Sequence, residues 1–187
     1  MYHSLLRDGK FFAFLREVDA DLANDTRAGG CGECGGVLHS ARYRRKPRAV
    51  CDLDEPFDRR ESFCCAEEGC RKRRTPPSVR FLGRKVYVAA VVVLATAMQH
   101  GPTARRVSEL GALLGIGRRT LLRWRTWWRT IFAASPAWRA KRGLLGSPAV
   151  DTSRLPESLL ERFVGAPQES VIAALRFVAA VVIESGL

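Results

Sequence analysis

The stretch Gly101–Phe132, GPTARRVSELGALLGIGRRTLLRWRTWWRTIF, decides the reading of this chain. Thr103 is placed to cap a helix over Ala104–Leu114. Arg105 and Arg106 sit on its first turn, and Val107, Leu110, Leu113 and Leu114 form its buried face. Gly115 can take the left-handed conformation a sharp corner needs, Ile116 plugs that corner, and Gly117 caps the next helix. On that second helix Leu121, Trp124, Trp128 and Ile131 recur at helical spacing and make the inward stripe. Two helices joined by such a corner are the pattern of a helix-turn-helix, whose second helix enters a nucleic-acid groove.

Arg118, Arg119, Leu122, Arg123, Thr126 and Arg129 fall outside the stripe. The first turns of a recognition helix usually reach base edges, which makes Arg118, Arg119 and Arg123 the base-reading candidates, with guanine the favoured base. Arg105, Arg125 and Arg129 suit phosphates better. Trp124 and Trp128 are expected in the core. Trp127 is expected to be more exposed and to pack on Trp138 or a neighbouring chain.

Upstream, Cys31-Gly-Glu-Cys34-Gly-Gly offers two thiolates at a spacing that grips one zinc ion, and the glycines let backbone amides turn back toward the sulfurs. A second cluster follows at Phe63-Cys64-Cys65-Ala-Glu-Glu-Gly69-Cys70, after short Arg-rich, strand-like pieces around an acidic turn at Asp52–Asp58. Two knuckles separated by a basic hairpin predict a zinc ribbon. The expected ligands are Cys31, Cys34, Cys65 and Cys70, with Cys64 pointing to the other side of its strand. Cys64, Cys51 and His39 stay open as replacements. Four thiolates leave no open coordination position, so a single structural Zn2+ is expected rather than a catalytic one. A segment this small buries little core, and structural zinc is worth an apparent ~10–16 kcal/mol in finger peptides, so folding here should depend on the metal.

Arg71, Lys72, Arg73 and Arg74 follow the last cysteine and lead into Pro76-Pro77 and the connector Ser78-Val-Arg80-Phe-Leu-Gly-Arg84-Lys85. Lying between two candidate DNA-binding modules, the four are expected to contact phosphate. Val86–Gln99 is rich in valine but reads as a buried helix that completes the core, stopped by Gly101-Pro102. At the start, a helix from about Arg7 to Asn24 carries the stripe Phe11, Phe12, Leu15, Val18 and Leu22, and Gly29 and Gly30 end it. After Ser135-Pro136 the chain reads as a loose basic linker. Two helices then follow, Glu157–Phe163 and Pro167–Glu184. The last is so apolar that Val86–Gln99 or a partner subunit must cover it.

The expected fold class is mainly α with a small β zinc ribbon, the ribbon hairpin preceding the helix-turn-helix domain. The expected divisions are an N-terminal helix (1–28), a zinc ribbon (29–80), a helix-turn-helix domain (81–135), a linker (136–153) and C-terminal helices for packing or oligomerisation (154–187). Charge supports a polyanion partner. The 187 residues hold 31 Lys and Arg against 19 Asp and Glu, a net charge of +12. Of the basic residues, 14 lie between Arg42 and Lys85 and 10 between Arg105 and Arg142. The opening carries acids inside its apolar segment, so no secretory signal is expected. Val86–Met98 and Val171–Ile183 are shorter than the roughly 18–20 residues that span a bilayer, so no membrane association is expected. A cytoplasmic, nucleoid-associated protein with reduced cysteines is the expectation.

The order of these features resembles the N-terminal DNA-binding region of zinc-ribbon insertion-sequence transposases. The likeness is carried by Cys31-x2-Cys34, by Phe63-x-Cys65-x4-Cys70-Arg-Lys-Arg, by Pro-Pro-Ser-Val-Arg-Phe, and by Leu-Gly-Ile-Gly-Arg-Arg-Thr-Leu-Leu-Arg-Trp. The resemblance implies that ribbon and helix-turn-helix recognise the ends of a mobile element. In that family a ribonuclease-H-like domain with three acidic residues performs strand transfer. Here the stretch after Phe132 is short, and its acids Asp151, Glu157, Glu161, Glu169 and Glu184 lie on short helical segments. The expected function is therefore that of a zinc-dependent, non-enzymatic protein of a mobile element or phage. It would bind double-stranded DNA for a separate recombinase or transposase subunit, with a homo-oligomer left open as its own assembly. An autonomous helix-turn-helix transcription regulator and an RNA-binding ribbon protein are the alternatives. No Ser/His/Asp set, phosphate loop or paired-carboxylate constellation appears, and His3, His39 and His100 are scattered.

Overall fold

The computed structural model describes residues 5–45, 55–82, 88–96 and 103–187. The described part is mainly helical, with a small antiparallel β region. Helix α1, Gly9–Ala28, is started by the Asp8 carboxylate, which accepts the Lys10 N–H, and closes at Gly29. It runs past Asn24 because nothing before Gly29 breaks it. Phe11, Phe12, Leu15 and Val18 are buried as their spacing predicts, and so is Asp19, which the apolar pattern did not anticipate.

Five short strands follow: β1 (Leu38–Ser40), β2 (Tyr43–Arg44), β3 (Arg59–Arg60), β4 (Phe63–Cys65) and β5 (Arg73–Arg74). β1, β4 and β5 form one antiparallel sheet in that order, and β2 pairs with β3 in a second. Leu38 stands opposite Cys65, and Cys64 lies between His39 and Arg73 on the neighbouring strands. Alternation along β4 turns Phe63 and Cys65 inward and Cys64 outward. A small core of Ala23, Cys31, Leu38, Phe63 and Cys65 holds this region together, with Cys70 packed against it.

Helix α2, Ala89–Thr96, is buried at every position. A helix apolar all round has to be enclosed, and α2 is, by the later helices. The expected helix Val86–Gln99 is thus present over Ala89–Thr96; Val88 instead bridges to Phe81, and residues 86–87 and 97–99 lie outside the described residues. Burial decides for helix here against the β propensity of valine. Helices α3 (Ala104–Leu114) and α4 (Arg118–Thr126) follow, joined at Gly115 and Ile116. Gly115 has φ +62°, and Ile116 is 1% exposed at the corner. Helix α4 packs on α2, and so does the long C-terminal helix α7, Pro167–Ser185. The cover that the apolar α7 requires therefore comes from within the chain, from α2, from α5 (Pro136–Lys141) and from α6 (Glu157–Leu160).

Three local expectations are corrected. The inward stripe of the second helix does not continue to Ile131, which is 49% exposed; Phe132 is buried instead. The cause is a wide π-helical turn over Trp127–Phe132, which takes up more residues per turn and moves the inward position one residue on. The same shift buries Trp127 between Trp128 and Phe132, so it is not the exposed tryptophan its spacing suggests. Finally, the start of the expected linker is helix α5. The Ser135 hydroxyl accepts the Trp138 N–H, Pro136 fits the first turn, and fully buried Trp138 packs on Phe132 and Phe177. One aromatic anchor outweighs the polar composition around it.

The connector after β5 is fastened by charge. Arg80 is buried, not a surface cation: its Nε donates to Asp19 of α1 at 2.8 Å, and its other nitrogens donate to the carbonyls of Phe57 and Arg59. Ser78 Oγ and the Val79 N–H also donate to Asp19. Arg60, likewise buried, donates to the carbonyls of Pro76 and Pro77. The guanidinium of Arg80 lies 5.2 Å from the Phe57 ring centre and 5.1 Å from that of Phe81. Helix α1, the β3 segment and the connector are thereby locked together. Among the described residues no helix is long and apolar enough to cross a membrane.

Candidate metal centre and basic helix

Two turns bring four cysteines to one point. In the first, Cys31 N–H donates to the Gly36 carbonyl and Gly35 N–H to that of Cys31, folding the chain back on itself. Gly30 and Gly35 take φ +65° and +73°, which a side chain would resist. In the second, the N–H groups of Cys70 and Arg71 both donate to the Glu67 carbonyl, while Cys65 N–H donates to Lys72. The ligand atoms of Cys31, Cys34, Cys65 and Cys70 all lie within 4.8 Å of one another.

These four residues could hold a metal ion. Cys31 Sγ and Cys70 Sγ are 3.6 Å apart, and Cys34 Sγ and Cys65 Sγ are 3.5 Å apart. A tetrahedron with metal–sulfur bonds of about 2.3 Å has edges of about 3.8 Å, close to what is seen. A disulfide would need about 2.05 Å, and the described cysteines are all free thiols. Gly36 makes room for the cluster: a Cβ there would stand 3.3 Å from both Cys34 Sγ and Cys65 Sγ, and 2.6 Å from Glu67 Cγ.

Backbone amides prepare the sulfurs for charge. Those of Glu33 and Cys34 pull the Cys31 thiol from its ordinary 9.0 down to about 7. The Gly36 amide favours the Cys34 thiolate, yet the neighbouring Cys65 and Cys31 sulfurs leave that thiol raised. Burial pushes the Cys65 thiol up against the help of the Glu67 amide. At Cys70 the Lys72 amide is overcome by burial and the crowding sulfurs. Several thiolates this close repel one another unless a cation sits among them.

The alternative ligands stand apart. Cys64 is half-buried on the outer side of β4, its thiol facing the Arg71 carbonyl at 3.5 Å. His39 is exposed on β1 across from Cys64. Cys51 lies outside the described residues.

The basic run after Cys70 divides by role. Arg71 takes φ +47° and pairs with Glu68 at 4.0 Å. Lys72 and Arg73 are exposed, Arg73 on β5 opposite Cys64. Arg74, although exposed, turns its Nη1 onto the Gly30 carbonyl and braces the first cysteine turn against β5. That brace connects residues far apart in sequence, so no local signal marked it. The Asp19–Arg80 lock escaped for the same reason.

On α4, Arg118, Arg119 and Arg123 are exposed, as is Arg129 on the π turn, while Arg125 is half-buried. Arg119 and Arg123 sit one helical turn apart on one stripe, and Arg118, Arg125 and Arg129 form a second beside it. Partial burial and the neighbouring Arg129 lower the basicity of Arg125. Arg105 on α3 is exposed and pairs with Glu109 at 3.0 Å. From Leu110 to Val150 the sequence contains no acidic residue. Among the described residues Arg118, Arg119 and Arg123 have no acidic partner, so the outer side of α4 is cationic.

No protein-family model, no curated protein and no solved structure matches the chain.

Proposed function

We propose that this chain is a zinc-dependent DNA-binding protein that uses α3 and α4 as a helix-turn-helix, with α4 entering the major groove. The observation that carries the reading is the set of exposed arginines on α4, Arg118, Arg119 and Arg123, with no acidic partner among the described residues, on a helix that follows the Gly115–Ile116 corner and is seated on α2. Arg118, Arg119 and Arg123 meet base edges, where an arginine fork pairs with the O6 and N7 of guanine. Arg105, Arg125 and Arg129 meet phosphates. One Zn2+ on Cys31, Cys34, Cys65 and Cys70 is the metal that suits a four-thiolate set; it fills its shell, supplies no chemistry, and stiffens the turns that carry Arg71, Lys72, Arg73 and Arg74. Lys72 and Arg73 give that ribbon its free cations for the DNA backbone.

In the setting suggested by the resemblance to insertion-sequence transposases, such a reader serves a mobile element or phage and works with a separate recombinase or transposase subunit. The reading is tested by selecting bound duplexes from a random pool in the presence of a structured RNA competitor. A recovered G-containing consensus resistant to the RNA supports it. Symmetric operator-like half-sites would favour an autonomous transcription regulator, and loss of all duplex binding to the RNA would make this an RNA-binding ribbon protein.

A further inference from the structure

Beyond α4, the acid-free stretch continues through α5 and the turn that follows it, and the structure shapes that continuation into a cleft. The cleft has a volume of ≈ 510 Å³ and is bounded by Arg139 and Arg142, with Gly143, Gly146 and Ser147 among its other walls. Both arginines are exposed, and among the described residues neither has an acidic partner. The third cation of this stretch, Lys141, is already engaged by Glu184 at 2.9 Å. Arg162 backs the cleft from the other side, donating to the carbonyls of Leu145 and Ser147 and so fixing the loop.

The cleft is joined to the surface of α4. The π turn that carries Arg129 packs on the Thr152–Arg154 turn. Asp151 opens that turn, next to Val150 of the cleft wall; its carboxyl is held below the usual range by the Ser153 hydroxyl and amide first, then by Arg154 and, least, by Arg129. Asp151 accepts the Ser153 hydroxyl at 2.7 Å and the Ser153 amide, and it is not among the residues that line the cleft. The π turn that carries Arg129 thus packs on a turn that begins one residue after the cleft wall.

We propose that this cleft binds backbone phosphates of the same duplex that α4 reads, lengthening the footprint past the recognition helix; the inference rests on the DNA-binding reading above. Two unpaired guanidinium groups beside small, open residues suit phosphodiester oxygens, which arginine grips with its planar fork. Contacts of this kind position the protein and carry no sequence information.

The experiment uses the full chain and two labelled duplexes, one selected and one of random sequence, titrated between about 50 and about 200 mM salt. Arg139→Ala/Arg142→Ala should weaken both duplexes by the same factor and reduce the slope of log affinity against log salt by about 1–2, at about 0.9 per phosphate lost. Arg139→Lys/Arg142→Lys should restore the slope. Arg16→Ala/Arg176→Ala, which removes two charges elsewhere, is the control. A double-alanine variant that behaves like this control overturns the proposal, while wild-type binding leaves the DNA reading standing. A loss confined to an RNA hairpin overturns it too. Absence of any salt-linked duplex binding by the wild type would remove the DNA reading itself. Both arginines are exposed and alanine favours helix, so the variants should keep the wild-type melting temperature.

Discussion

Replacing Asp19 with alanine should cost this protein a large part of its stability, although Asp19 touches neither the cysteines nor α4. The side chains of Arg80 and Asp19 are 3% and 1% exposed and 2.8 Å apart. Removing the carboxylate leaves a guanidinium buried without a counter-charge, which costs about 3–5 kcal/mol. The Val79 N–H and the Ser78 hydroxyl lose their acceptor at the same time, while Arg80 keeps the carbonyls of Phe57 and Arg59. The upper half of that range is therefore expected. For a chain of this size each kcal/mol moves Tm by about 2–4 °C, so thermal unfolding followed by circular dichroism should shift down by about 8–20 °C. Arg42→Ala is the comparison: its pair with Glu61 is largely exposed on the arginine side and should be worth less than about 1 kcal/mol. An Asp19→Ala shift no larger than that of Arg42→Ala would refute the claim that the buried pair locks α1 to the connector.

Further outcomes follow from the metal site and the register of the second helix. Cys65→Ser should abolish stoichiometric zinc binding, measured by metal analysis of purified protein, whereas Cys64→Ser should retain it. Equal loss in both would mean that Cys64 is a ligand. Thiolates bind the metal and thiols do not, so protons compete as the pH falls. With only Cys31 lowered to about 7, zinc should be released on acidification and held on the alkaline side. Phe132→Ala should destabilise by about 3–5 kcal/mol in urea unfolding, and Ile131→Ala by less than about 1. The reverse order would rule out the π turn and restore the uninterrupted stripe.

Much of this architecture was legible where a local rule governs. The bounds of α3 and the start of α4 follow from helical spacing and the glycine corner, because one buried face and one left-handed residue suffice to specify them. Cys65 was favoured over Cys64 by its place in the strand, with Cys64 left open as a replacement until the fold turned it outward on β4. What could not be read depends on partners far along the chain or on a change of period. Nothing near Asp19 announces Arg80, and nothing near Arg74 announces Gly30. The inward position moved from Ile131 to Phe132 because an i→i+5 turn obeys a different period from the helix before it. Helix α5 was hidden by averaging: one buried tryptophan among arginines, alanines and glycines reads as a linker until its packing on Phe132 and Phe177 is seen. The candidate site divides in the same way: spacing marked its four cysteines and the exposed arginines of α4, while the pairing of Arg105 with Glu109 and of Arg71 with Glu68 and the bracing by Arg74 emerge only from the fold.

The central claim is that α4 reads bases through its arginines, and the direct measurement is site discrimination by Arg119→Ala and Arg123→Ala. Affinity for the selected duplex and for random duplexes is measured at one salt concentration for each variant and the wild type. The account predicts that discrimination falls by about 1–3 kcal/mol per lost guanine contact while binding to random DNA weakens only slightly. Variants that separate selected from random sites as well as the wild type would contradict it.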